Sequence, residues 1–243
     1  MVAVPGQSGH RAVRCECQKQ LKQQRLLEEA QIPPRYYYCE LDNFEVDMLP
    51  GTPDSLRRAR LMATAFVDNY PSDGTGLLFL GPCGVGKTHL AVGIARKLLE
   101  RGFSCRFADY RELLKTIQST FDPQNPLSEA RVIEPLLRTE VLILDDMGVG
   151  RATEWALETL HYILNHRYSQ KRTTILTSNL EDGEAKRKKL AGGGDFEAQK
   201  TLVLAIGERL RSRLYEMCRP VVMTGEDFRR RIHGGGMGSL PGR

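Results

Sequence analysis

No run of apolar residues in this chain approaches the length needed to cross a bilayer. The most apolar segments, Leu77–Leu80 and Val141–Leu144, are short enough for buried strands. The first residues, Met1 to Arg14, lack the apolar stretch that export requires, so an intracellular, cytoplasmic protein is expected. Charge of one sign is lacking too. The 35 Lys and Arg stand against 30 Asp and Glu, and the net +5 suits an acidic partner such as nucleic acid without demanding one. Six cysteines at 15, 17, 39, 83, 105 and 218 form no disulfide framework and read as reduced thiols. No internal repeat is visible. What remains is a chain of 243 residues with an ordinary apolar share of 41%, enough for one substantial α/β domain plus a short appendage.

The first fourteen residues are rich in Gly, Pro and Ser and read as unstructured. Glu16 to Ala30 reads as a polar helix closed by Pro33-Pro34. Tyr36, Tyr37, Tyr38, Leu41 and Phe44 make an aromatic patch. A helix follows over roughly Leu56 to Asn69, with Ser55 as its expected cap and Leu61, Ala65 and Phe66 on its apolar side. From there strands and helices alternate. Strands are expected at Leu77–Leu80, Ser104–Ala108, Val141–Asp145, Thr173–Thr177 and Val221–Met223. Helices are expected at Lys87–Arg101, Tyr110–Thr120, Ser128–Arg138, Ala152–Tyr168 and within Glu197–Glu216. Such alternation implies a largely parallel sheet covered on both faces. Glu181 to Asp195, with its basic run and three glycines, and the tail from Gly234 read as mobile.

The strongest motif is Gly81-Pro82-Cys83-Gly84-Val85-Gly86-Lys87-Thr88, which fits the P-loop pattern G-x-x-x-x-G-K-[ST]; His89 is counted with it. An apolar strand precedes it and an amphipathic helix follows, the context that separates a phosphate cradle from a chance Gly-rich turn. Glycines let backbone amides close around phosphates at a helix N-terminus. Lys87 brings positive charge to the β- and γ-phosphates, and Thr88 a hydroxyl to magnesium. Val141-Leu142-Ile143-Leu144-Asp145-Asp146 is an apolar strand ending in two carboxylates, the form of a Walker B motif. Buried carboxylates are costly there unless they hold a metal or accept hydrogen bonds. Asp145 is assigned to the magnesium shell and Asp146 to the attacking water, where its short side chain predicts slow turnover. Thr177-Ser178-Asn179 follows another apolar strand and places polar groups beside both motifs.

Together with Gly207-Glu208-Arg209-Leu210-Arg211-Ser212-Arg213-Leu214 and the closing Gly225-Glu226-Asp227-Phe228-Arg229, these motifs resemble the DnaC/DnaI/IstB group of AAA+ ATPases, closest to bacterial replicative helicase loaders. The likeness spans roughly residues 35 to 232. It implies a five-stranded parallel sheet between helices with the P-loop strand central, ATP and Mg2+ as ligands, and self-assembly in which neighbours complete each other's ATP sites. By the same resemblance Asn179 matches sensor 1, Arg213 the arginine finger with Arg209 as the alternative, and Arg229 the sensor 2 arginine. Little chain follows Arg229, so little or no C-terminal lid is expected. The implied division is an N-terminal extension over 1–50, an ATPase domain over 51–232 and a tail over 233–243.

The implied function is loading or remodelling of a DnaB-type replicative helicase on single-stranded DNA, with the short N-terminal helix docking on the helicase. The alternatives are an IstB-like ATPase accessory to a transposase on duplex DNA and a DNA-independent nucleotide switch. The segment Tyr110–Arg138 matches the insertion that lines a single-strand channel. Arg111, Lys115 and Arg131 are its candidate phosphate contacts and Phe121 its stacking residue, against the reading of a solvated helix face. Cys15-Glu16-Cys17 resembles half of a four-cysteine zinc cluster. A zinc site completed by His10 and Cys39 stands beside the reading of a truncated or degenerate relic. Lys186-Arg187-Lys188-Lys189 reads as an inserted basic loop.

Overall fold

A computed structural model describes residues 16–44, 53–148, 153–182 and 201–229. Five strands are described: β1 (Gly76–Leu80), β2 (Cys105–Asp109), β3 (Val141–Asp145), β4 (Thr173–Ser178) and β5 (Cys218–Val222). They pair in parallel in the order β2-β3-β4-β1-β5. The expected five-stranded parallel sheet is present, but β4 holds the middle. β1 is interior, between β4 and β5, rather than central. Strands β1, β3 and β4 are buried along their whole length; β1 and β3 accordingly read as apolar runs, whereas β4 buries four hydroxyl residues around Ile175 and Leu176.

Helices α1 (Glu16–Ala30), α2 (Asp54–Asp68) and α3 (Lys87–Glu100) cover one face. Helices α4 (Tyr110–Ser119), α5 (Glu129–Arg138), α6 (Glu154–Ser169), α7 (Leu202–Ile206) and α8 (Glu208–Met217) cover the other. Side-chain oxygens cap four of these: Asp109 for α4, Ser128 for α5, Thr153 for α6 and Thr201 for α7. Ser55 does not cap α2. The helix starts two residues earlier, behind Pro53, and the Ser55 hydroxyl accepts from the Thr224 amide at 3.0 Å instead. The apolar side of α2 is also rotated from expectation. Ala59, Ala63 and Val67 are buried while Leu61 is 68% exposed, because small residues one turn apart let α2 lie close to α3.

The last strand begins three residues before the expected Val221. α8 runs into β5 without a loop, and Arg219-Pro220 breaks the apolar pattern. Proline is tolerated there because β5 is an edge. The other edge, β2, lies under α1, where Arg106 donates to the Glu29 carbonyl at 3.3 Å and to Gln31 Oε1 at 2.7 Å. Among the described residues no helix is long and apolar enough to cross a membrane. The segments read as mobile at the N-terminus, around 183–195 and beyond Gly234 lie outside the described residues.

Candidate nucleotide-binding site

Strand β1 delivers Gly81 to the end of the sheet, and the loop 81–86 turns directly into α3. Gly84 and Gly86 adopt φ of +79° and +95°, where a side chain would be strained. A Cβ would also be obstructed at both. At Gly84 it would lie 1.8 Å from Asp227 Oδ1, and at Gly86 2.4 Å from Phe44 Cε2. Two distant parts of the chain therefore brace the loop. From the C-terminal side, the Met223 amide donates to the Leu80 carbonyl at 2.7 Å and the Phe228 amide to the Gly84 carbonyl at 3.1 Å. From the N-terminal side, residues 36–44 form a strap across α3. Glu40 pairs with Arg96 at 2.9 Å and Asp42 with Lys97 at 3.2 Å.

Lys87 is buried, with its Nζ donating to the Gly81 and Pro82 carbonyls at 2.8 and 2.7 Å. Burial draws its pKa down, while Cys83, Asp146 and Asp145 oppose that. The Thr88 hydroxyl lies 2.9 Å from Asp145 Oδ1, joining the first turn of α3 to the end of β3. Thr177 Oγ1 donates to the same carboxylate at 2.6 Å and accepts from the Asp146 amide at 2.9 Å. Asn179 Nδ2 then donates to Asp146 Oδ1 at 2.6 Å. Lys87, Thr88, Asp145, Asp146 and Asn179 are thus brought together at the carboxyl ends of β1, β3 and β4.

Asp146 has φ of +57°, uncommon outside glycine; the bond from its amide to Thr177 and the bond its carboxylate accepts from Asn179 hold it there. Burial pushes its carboxyl up, Asp109 adds to that, and Arg111, Lys87 and Arg229 draw it back. Burial also raises Asp145, opposed by the hydrogen bonds from Thr177 and Thr88. Arg229 is exposed on the segment bound to Gly84, and its charge is felt at both Lys87 and Asp146. Cys83 is exposed in the loop and Val85 is buried beneath it. His89 is engaged by the strap: Nε2 lies 2.9 Å from both the Glu40 carbonyl and Asn43 Oδ1.

Other candidates sit elsewhere. Arg213 is on α8 against α6, where it donates to Asn165 Oδ1 and lies 5.0 Å from the Tyr168 ring centroid. Arg111 and Lys115 are exposed one turn apart on α4, and Arg131 is exposed on α5. Phe121 packs edge-on against Trp155 at 5.6 Å yet remains 56% exposed. Sequence reasoning named Thr177 and Asp227 only as members of motifs, with no role of their own, and passed over Asp109. Thr177 carried a signal: a hydroxyl near the end of a buried strand needs partners. Asp227 carried none, since its contact with Gly84 exists only once the chain is folded.

The family described as "IstB-like ATP binding protein" matches residues 13–233. The chain belongs to this family. A solved structure of the DnaC helicase loader is 31% identical to this IstB-like chain with a TM-score of 0.63, covering 79% of this chain and 99% of that one. DnaI resembles it in fold, at 23% identity and TM-score 0.59, over 81% of this chain and 94% of that one. The replicative helicase loader DnaC of Escherichia coli (strain K12) is 27% identical over 164 residues, 67% of this chain and 64% of that protein. The loader of Buchnera aphidicola subsp. Baizongia pistaciae (strain Bp) is 26% identical over 163 residues, again 67% and 64%. The alignments therefore span under two thirds of those relatives' length.

The chain is accordingly an ATP-binding AAA+ protein of the IstB/DnaC type, and the oxygens at its site fit the magnesium that ATP brings. The Thr88 hydroxyl and the Asp145 carboxylate converge at the mouth of the loop, and hard oxygen donors of this kind suit that ion. Held there, the ion would offset the negative charge of the phosphates. Zinc has no such support. No group of three or more potential metal ligands occurs among the described residues, and Cys39 is buried in the core, its thiol pushed up to about 11 by burial. His10 and Cys15 lie outside the described residues, and so does the side chain of Cys17.

Proposed function

We propose that the chain hydrolyses ATP slowly and uses the cycle to load or remodel a DnaB-type replicative helicase on single-stranded DNA. The observation that carries the hydrolytic half is the continuous set of hydrogen bonds Thr88–Asp145–Thr177–Asp146–Asn179 beside the Lys87 ammonium. On this reading ATP phosphates replace the Gly81 and Pro82 carbonyls as partners of Lys87. Thr88 and Asp145 hold the magnesium. Asp146, fixed by Asn179, orients the attacking water and accepts its proton. An aspartate reaches less far than a glutamate, so turnover is slow. Arg213 acts in a neighbouring subunit's site, and Arg229 acts in its own. Helix α1 docks on the helicase, and Arg111, Lys115 and Phe121 meet the single strand.

Likeness to DnaC supports the loader half. A second reading draws on the family description itself: an ATPase accessory to a transposase, acting on duplex DNA. ATP hydrolysis with single-stranded DNA, with duplex DNA and with the helicase of the same cell distinguishes them, with Lys87→Ala as the inactive control. Stimulation by single-stranded DNA or helicase supports the loader. Stimulation by duplex DNA alone transfers the conclusion to the transposition reading. No stimulation by any of the three removes both.

A further inference from the structure

The Arg213 guanidinium is held without being neutralised. Its Nη1 donates to the side-chain oxygen of Asn165, a neutral amide, and its Cζ lies over the Tyr168 ring, 5.0 Å from the centroid. The carboxylate nearest in sequence on the same helix, Glu216, is taken up by the Tyr168 hydroxyl and makes no ion pair with Arg213. Nη2 and Nε have no partner among the described residues, so the two donors that form a fork for a bidentate oxyanion remain open.

The place of this group matters as much as its partners. Tyr168 is in the last turn of α6, which passes through three residues into the start of β4, and α8 runs straight into the start of β5. Arg213 therefore lies toward the end of the sheet where strands begin. Lys87, Asp145, Asp146 and Asn179 lie at the end where they finish, at the Leu80 and Ser178 register. A part-buried cation with an open fork, held away from its own chain's phosphate site, is arranged for an anion supplied from outside the chain.

We propose that Asn165 and Tyr168 are positioning residues that present the Arg213 fork to the terminal phosphate of ATP bound by a second copy of this chain. The inference rests on the reading of Arg213 as a trans-acting arginine. Asn165 fixes one edge of the guanidinium with a neutral acceptor, so its charge stays available. Tyr168 supports its face and at the same time keeps the Glu216 carboxylate from pairing with it. Preset rotamers reduce the side-chain entropy lost when the fork meets phosphate.

The discriminating variant is Asn165→Asp, close to isosteric and able to accept the same hydrogen bond. A purely structural contact would be kept or strengthened by the added charge. A presenting contact would be spoiled, because a carboxylate pairs with the guanidinium and competes with phosphate. The measurement is ATP turnover at saturating nucleotide and a protein concentration that supports assembly. It is accompanied by affinity for a fluorescent ATP analogue and by the melting temperature. Expected for Asn165→Asp is at least about a tenfold loss of turnover, short of the roughly thousandfold or larger loss of removing an arginine finger outright, with nucleotide affinity and melting temperature maintained. Tyr168→Phe should lose turnover as Glu216 is released, and Tyr168→Phe with Glu216→Gln should recover it.

Mixing separates donor from acceptor defects. Asn165→Asp subunits, whose own ATP site is intact, should regain turnover with Asp146→Asn subunits that lend a sound Arg213, and not with Arg213→Ala subunits. Wild-type turnover in Asn165→Asp beside an inactive Arg213→Ala would overturn the positioning role and leave the trans arginine standing. Wild-type turnover in Arg213→Ala would overturn both.

Discussion

Asn179 and Asp146 show how little separates a competent site from a strained turn. Asp146 sits at positive φ; its backbone amide donates to the Thr177 hydroxyl, and the Asn179 amide fixes where its carboxylate points. Removing the amide leaves Lys87, Thr88 and Asp145 untouched but frees Asp146 to rotate. Asn179→Ala should therefore lower turnover by about ten- to a hundredfold, the scale of a lost general-base alignment, with ATP affinity unchanged. Steady-state kinetics beside equilibrium nucleotide binding checks this, and a matching loss of affinity would mean the residue serves binding instead. At this scale much was legible in sequence. Lys87, Thr88 and Asp145 belong to contiguous motifs whose chemistry dictates their spacing. Asp227 and Phe44 were not legible, because their contacts with Gly84 and Gly86 join segments with no local pattern in common.

Among the elements, α6 carries the strongest buried constraint in its Arg167. This side chain is fully buried and makes five hydrogen bonds, all to neutral acceptors: Thr174 Oγ1 and the carbonyls of Leu136, Thr139, Glu140 and Thr173. It joins α6 to the end of α5 and the starts of β3 and β4. Each of these acceptors left without a partner when the guanidinium is gone costs about 1–3 kcal/mol. Arg167→Ala should destabilise the fold by more than about 4 kcal/mol. Arg167→Lys should recover part of that, since an ammonium offers three donors in place of five. Urea unfolding of the three proteins tests the order, and a Lys variant as weak as Ala would show that bulk rather than hydrogen bonding matters. Helix boundaries followed capping residues the sequence displays, such as Ser128. The face of α2 did not, because Ala59 and Ala63 are too small to register as an apolar stripe although they allow the close packing on α3.

For the whole molecule the decisive relation is between two ends of one sheet. The strands finish at the phosphate loop and begin near Arg213, so in the proposed assembly a subunit would carry the acceptor and the donor of a shared site on separate surfaces. Specific ATPase activity should then rise with protein concentration, and Arg213→Ala should flatten that dependence while leaving nucleotide binding intact. Turnover measured over a hundredfold dilution series checks it; activity per subunit independent of concentration would remove the shared-site arrangement. The parallel sheet itself was readable from alternating elements, whereas the order of its strands was not. Periodicity reports that a strand is buried and says nothing of which neighbour buries it, which is how β4 rather than β1 came to hold the middle.

The bracing of Gly84 by the segment around Asp227, and of Gly86 by Phe44, has a consequence for how such chains are dissected. The residues of the motif supply the donors, but the loop they form is packed against the Phe44 side chain and the Asp227–Phe228 segment, far from it in sequence. A fragment trimmed to the motif and its two flanking elements keeps every phosphate-binding residue and loses the buttresses that hold the cradle open. Possession of the motif and possession of the binding site are, in this protein, separable properties.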